Sequence, residues 1–217
     1  MKVIGINGSP RKGWNTHILT GEVLKGAAAR GAETELINLY ELNFRGCISC
    51  FECKRRGGSS LGRCVVKDEL RPVLDKIDAC DAFVLGSPIY IGEVSASMRA
   101  LIERLTFQYI SYEKDRKPLF NRRIPAGLIY TMNVPEAGLE QTGYTAKFQG
   151  YEALFTRIFG SAKTLLSTET WQTEDYGKYG ITMVNEADRK KRREEVFPRD
   201  CRNAFDLGSE LAAGARV

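Results

Sequence analysis

Two hydrophobic periods alternate along this chain. Residues 2–6 (KVIGI) form a short apolar run closed by the turn residues Asn7-Gly8-Ser9-Pro10, which predicts a buried strand followed by a polar loop. Over residues 15–30 the apolar positions Ile18, Leu19, Val23, Leu24 and Ala27 recur at helical spacing. The alternation in ETELINL predicts a second strand over 33–39, and Leu70, Val73, Leu74 and Ile77 define one face of a helix over 68–78. The run DAFVLG (81–86) predicts a third strand, followed by a helix over about 95–105. After a basic, aromatic connector the pattern continues with a strand over 124–131, a helix over 146–159 and a fifth strand over 162–168. Residues 171–180 are polar and aromatic and predict a loop, and two helices close the chain, over about 186–196 and, after Pro198, over 199–213. Strands alternating with helices imply a parallel sheet covered on both faces by right-handed crossovers.

Composition narrows the class without changing this picture. The chain has 217 residues, 43% of them hydrophobic and 27% charged, which fits one domain over 1–217 with a C-terminal elaboration from about residue 170. The net charge is only +5, and the densest basic run, DRKKRREE at 188–195, ends in Glu194 and Glu195. It reads as a solvated helix face, so no nucleic-acid partner is expected. The opening apolar run is too short for a signal-peptide core, and no stretch is long enough to cross a bilayer. A cytoplasmic protein is expected, and there a tight cysteine cluster points to a metal or redox site more than to disulfides.

In a doubly wound sheet, ligands bind beyond the carboxyl ends of the strands. After the first strand, the stretch from Gly8 to Thr16 sets small residues, hydroxyls, an amide and two cations just before a helix N-terminus. That combination suits a phosphate. It matches neither the GxGxxG turn nor the GxxxxGK[ST] loop, so a monophosphate fits better. A plain capped turn with Asn15 or Ser9 as the cap is the bland alternative. After the third strand, GSPIYIG (86–92) combines a turn-forming Pro, a Gly that lets backbone approach a ligand, and an aromatic ring.

These residues carry a resemblance. GINGSPRKGWNT, CISCFEC with the later Cys and KDEL, and GSPIYIGEVSASMRALIER resemble the flavodoxin-like NAD(P)H-dependent FMN reductases, and among them the iron–sulfur flavoproteins; DYGKYG and VFPRDCRNAFDLGSEL match more loosely. Residues 1 to about 105 match most specifically. The resemblance implies a flavodoxin-like α/β fold, a doubly wound five-stranded parallel sheet of order 2-1-3-4-5 with a C-terminal helical extension, and noncovalent FMN. Carried over, Ser9, Arg11, Asn15 and Thr16 would hold the FMN phosphate. Ser87, Pro88, Ile89, Tyr90 and Gly92 would line the isoalloxazine ring, with Thr131, Met132 and Asn133 completing that site. Trp14 departs from the small or polar residue usual there. Relatives are commonly homodimers or homotetramers, and residues 171–179 and 107–120 are candidate interface elements.

Cys47, Cys50 and Cys53 make two successive CxxC steps, and Cys64 follows across KRRGGSSLGR. That spacing follows the logic of four-iron sites, and the family's iron–sulfur members carry a compact motif here, so a [4Fe-4S] cluster is expected on these residues. Idle or redox-sensitive thiols, zinc and a disulfide remain the alternatives. The interval before Cys64 is longer than usual. Cys80 and Cys201 read as small buried apolar residues. His17 reads as a helix-surface residue or a phosphate contact, and Asp68-Glu69 as acids at a helix start. The function expected is an FMN-dependent oxidoreductase passing electrons among a donor (NAD(P)H or ferredoxin), the cluster and FMN. A cluster-free NAD(P)H:FMN or quinone-type reductase and a flavodoxin-like carrier are the other readings. No catalytic side chain is expected, because the flavin carries the redox chemistry.

Overall fold

The structure is a computed structural model that describes residues 1–215. Its strands are β1 (Lys2–Asn7), β2 (Glu33–Asn38), β3 (Ala82–Tyr90), β4 (Glu93–Val94), β5 (Ile124–Thr131) and β6 (Gly160–Ser167). Its helices are α1 (Asn15–Ala29), α2 (Leu70–Ala79), α3 (Ala96–Phe107), α4 (Tyr144–Phe159), α5 (Glu186–Glu195) and α6 (Phe197–Gly214). The parallel sheet runs β2-β1-β3-β5-β6, and the short β4 pairs antiparallel with the end of β3. The spatial order is the expected one. Only the numbering shifts, because β4 falls between the third and fourth parallel strands.

Alternation along the strands sorts the core into two layers. Ile4, Ile6, Phe83, Leu85 and Leu128 face α2, α3 and α4, whereas Val3, Val84 and Ile129 face α1 and α6. On the second face, helix backbones nearly touch. A Cβ built on Gly208 would lie 1.8 Å from the Val23 carbonyl oxygen, and one on Gly26 would lie 1.9 Å from that of Phe205. Glycine at both positions lets α6 settle onto α1.

The third strand outruns its expected end. Pro88 lacks only an N–H, and the extended backbone continues through it in register with Thr131 before turning at Ile91 (φ 49°) and Gly92 (φ 76°) into β4. Two successive positive φ angles are the requirement of a tight hairpin turn. Among the described residues, no helix is long and apolar enough to cross a membrane.

Candidate functional site

Asn7, fully buried at the end of β1, shapes the first loop. Its Oδ1 accepts from the Ser9 N–H (3.1 Å), and its Nδ2 donates to the Ser9 carbonyl (3.2 Å) and to Asn38 Oδ1 (3.0 Å). The Ser9 hydroxyl in turn accepts from the Arg11 N–H (3.1 Å). This chain of local bonds turns the loop so that Ser9, Arg11, Trp14, Asn15 and Thr16 reach one cleft at the carboxyl edge of the sheet. Trp14 stands at the N-cap of α1 and makes no side-chain cap, so the capped-turn alternative is not what forms here.

Pro88, Ile89 and Tyr90 from the end of β3 enter the same cleft of about 140 Å³, as do Thr131, Met132 and Asn133 after β5. Burial pushes the Tyr90 hydroxyl up from its ordinary value; Tyr40 adds to the rise and Arg11 opposes it. Thr16 and Thr131 join the first and third loops through their hydroxyls, 2.7 Å apart.

Two expected ring residues stay outside the cleft. The Ser87 hydroxyl accepts from the Ser95 N–H (3.0 Å) and donates to the Pro88 carbonyl (2.9 Å), so it fastens the start of α3 instead. Gly92 sits in the hairpin turn beside Tyr144. The hairpin is anchored behind the cleft by Lys147, which donates to the Gly92 carbonyl and pairs with Glu93 (3.3 Å), and by Tyr151, whose hydroxyl donates to Glu93 Oε1 (2.7 Å). His17 does not line the cleft.

Thr170, Trp171 and Gln172 were not expected there, yet they close one side. Arg11 lies over the Trp14 ring at 3.3 Å and donates to the Gln172 carbonyl (2.5 Å), and Asn15 Nδ2 donates to the Trp171 carbonyl (2.7 Å). Gln172 Oε1 is buried with no hydrogen-bond partner among the described residues. The aromatic character of 171–179 was the only sequence signal for this wall. A second correction concerns α5. Arg189 is 8% exposed, and Arg192 and Arg193 are half-buried, because this helix packs against the cleft loops and does not present a fully solvated face.

The cysteines occupy a different region. Cys47, Cys50, Cys53 and Cys64 all line one small, mostly apolar cavity against Arg104 and Phe107 at the far end of α3. Cys47 and Cys50 are exposed, Cys53 is buried and Cys64 is intermediate. Ser49 and Phe51, between the thiols, hold left-handed backbone (φ 54° and 59°), a conformation that costs energy in residues other than glycine. Burial pushes the Cys53 thiol up and the neighbouring Lys54 ammonium down.

Lys54 Nζ caps the end of α3 by donating to the carbonyls of Phe107, Gln108 (3.1 Å) and Ile110 (2.6 Å). Arg104, 1% exposed, donates to Asp68 (2.5 Å) and to the carbonyls of Arg45 and Val66 (both 3.2 Å). Asp68 therefore pairs with a buried cation and is more than a helix-start acid. Among the described residues, no group of three or more His, Cys, Asp or Glu side chains is placed to hold a metal ion. Cys80 is fully buried and its thiol is pushed up to about 12 by that burial, as suits a small apolar residue, while Cys201 is half-buried.

The fold and the strand-end cleft define a flavodoxin-like α/β protein. The chain belongs to the NADPH-dependent FMN reductase family, whose model matches residues 1–145. It is similar to an iron–sulfur flavoprotein of Methanocaldococcus jannaschii, 42% identical over 104 residues (48% of this chain, 51% of that protein). An iron–sulfur flavoprotein of Methanosarcina thermophila is 33% identical over 104 residues (48% and 52%), and one of Archaeoglobus fulgidus is 32% identical over 128 residues (59% and 60%). The chain spans about half the length of the first two of these curated relatives. Among solved structures, an NAD(P)H:quinone oxidoreductase from Methanothermobacter marburgensis shares the fold with a TM-score of 0.71 at 17% identity, covering 97% of this chain and 98% of that one.

Proposed function

We propose that the protein is an FMN-dependent oxidoreductase of the iron–sulfur flavoprotein type. The observation that carries the flavin reading is the convergence of the first loop, the end of β3 and the third loop on one cleft. There Ser9, Arg11, Asn15 and Thr16 would hold the phosphate at the start of α1, where free N–H groups and the helix dipole favour an anion. Arg11 and Asn15 now reach carbonyls of Gln172 and Trp171, contacts that a phosphate would replace with charge-assisted ones. Pro88, Ile89, Tyr90, Thr131, Met132 and Asn133 would line the ring. In this reading Ser87 and Gly92 support the ring site from behind. Bound FMN supplies the hydride and single-electron chemistry. The residues around it bind, orient and exclude water.

Cys47, Cys50, Cys53 and Cys64 would hold a [4Fe-4S] cluster, which supplies one-electron exchange. Two observations support this: the four side chains line a single cavity, and the relatives named above are iron–sulfur flavoproteins. A cubane spreads its thiolates wider than a single ion does. Four thiols around one cavity therefore fit a cluster in kind. A second reading, a cluster-free NAD(P)H reductase, is favoured by the exposure of Cys47 and Cys50. The family description favours a nicotinamide donor over ferredoxin. We place the protein in the cytoplasm, where thiols stay reduced, as a homodimer or homotetramer. Anaerobic mixing of FMN-loaded protein with NADPH or NADH tests the enzyme reading. Rapid bleaching of the flavin is expected, and a flavin that only an external one-electron reductant can bleach would make the protein a carrier.

A further inference from the structure

Helix α5 carries Arg189, Arg192 and Arg193 at helical spacing, so they share one face. That face is turned toward the cleft loops. Arg189 donates to the Asn133 carbonyl (3.1 Å) and to Asn133 Oδ1 (2.8 Å), and pairs with Glu169 (3.0 Å). Arg192 donates to Thr168 (3.3 Å) and Asp200 (3.2 Å), which anchors the helix between the end of β6 and α6. Arg193 donates to Asn15 Oδ1 (3.0 Å). Asn133 and Asn15 both line the cleft, one in the loop after β5 and the other at the start of α1. The helix lies beyond residue 145, outside the part of the chain that matches the family.

A guanidinium has donors only, whereas a side-chain amide has one acceptor end and one donor end. An arginine against an asparagine therefore decides which way the amide faces: Oδ1 meets the arginine, and the NH2 is left for other partners. For Asn15 that partner is the Trp171 carbonyl, at 2.7 Å. We propose that Arg189 and Arg193 are positioning residues that hold the Oδ1 ends of Asn133 and Asn15, leaving the NH2 ends to the flavin, with the phosphate replacing the Trp171 carbonyl at Asn15. Arg193 would thereby serve the phosphate end and Arg189 the ring end. This inference rests on the flavin reading of the cleft. It makes the C-terminal extension part of the site without placing either arginine on the ligand.

The test measures FMN and riboflavin dissociation constants and the flavin midpoint potential in wild type, Arg193→Gln and Arg189→Gln, each confirmed folded by circular dichroism. Arg193→Gln should weaken FMN by about tenfold, the scale of one hydrogen bond to a charged group, and leave riboflavin binding unchanged because only the phosphate end is disturbed. Arg189→Gln should weaken both ligands and lower the midpoint potential. Arg189→Lys, still donor-only, should recover part of that shift. Lys190→Gln, on the exposed side of the same helix, should change nothing. Unchanged constants and potential in both Gln variants would overturn the inference, as would equal loss of FMN and riboflavin in Arg193→Gln. Wild-type protein that binds neither ligand would overturn the flavin reading itself and this inference with it. Should Arg189→Gln not fold, Arg193→Gln, at a half-buried position, decides the outcome alone.

Discussion

The strand-end cleft and the cysteine loop lie at opposite ends of α3, a helix ~18 Å long at ~1.5 Å per residue. They are built in opposite ways. In the cleft, each loop leaves a strand whose register is fixed by its neighbours, and backbone-directed bonds from Asn7, Ser9 and Ser95 finish the shape. The cysteine loop contains no strand. Two cations tie it to α3: Lys54, from the loop, donates to carbonyls at the helix end, and Arg104, from the helix, gathers the Arg45 and Val66 carbonyls, while a single amide, Gln108, accepts from the Cys64 N–H (2.9 Å). Sheet geometry therefore sets the position of the strand-end cleft, whereas buried charge sets the position of the thiols. Damage to one should leave the other standing.

The largest expected effect is on the loop. Arg104→Met removes a buried cation and strands Asp68, whose side chain is 15% exposed, and breaking such a pair costs about 3 kcal/mol. Urea unfolding should show that loss while FMN affinity changes little. Next comes Gly86→Ala, which strikes the cleft from beneath. Its Cβ would stand 2.2 Å from Thr20 Oγ1 and 3.1 Å from Thr16 Cγ2 on α1, so these packed side chains must give way at a cost of roughly 1–3 kcal/mol. FMN titration should reveal a marked loss of affinity, with the accessibility of the four loop thiols to a maleimide unchanged. If that accessibility rises as well, the two regions are not independent.

Lys54→Met is a milder loop variant. It removes the cation from the last carbonyls of α3, at a cost of about 1–2 kcal/mol, and should speed proteolysis within residues 47–64 without altering flavin binding. The smallest effect concerns pH. Burial tends to raise the Glu93 carboxyl, but its bonds to Tyr151, the Val94 N–H and Lys147 outweigh that and hold it below its ordinary value. A depressed carboxylate contributes stability that is present above its unfolded value and is lost as pH falls through its folded one. Fluorescence of bound flavin should therefore report a loosened hairpin only in the acid range below the ordinary glutamate value, and Glu93→Gln should remove that transition.

How much of this was legible in the sequence follows the same division. The five parallel strands and the polar loop after β1 could be read because apolar period and turn residues are local signals, whereas the strand order and the part played by the loop after β5 came only with the family resemblance. That the Ser87 hydroxyl answers to Ser95 was not legible, because the position of Ser95 at the start of α3 is a tertiary fact. The wall at 170–172 and the inward face of α5 were missed for a similar reason. DRKKRREE has the composition of a solvated face, and only packing against Asn15, Asn133 and Asp200 turns three of its arginines inward. The spacing of the cysteines suggested a common purpose, but their path depends on Lys54 and Arg104, which no local pattern connects to them.

The central claim is that one chain holds a flavin at the sheet edge and a cluster at the far end of α3. Protein purified without oxygen and assayed for FMN, iron and acid-labile sulfide tests it most directly. About one FMN with roughly four iron and four sulfide per chain is expected, falling to FMN alone in Cys53→Ser. FMN with neither iron nor sulfide in the wild type would contradict the cluster, and protein devoid of FMN after incubation with it would contradict the cleft.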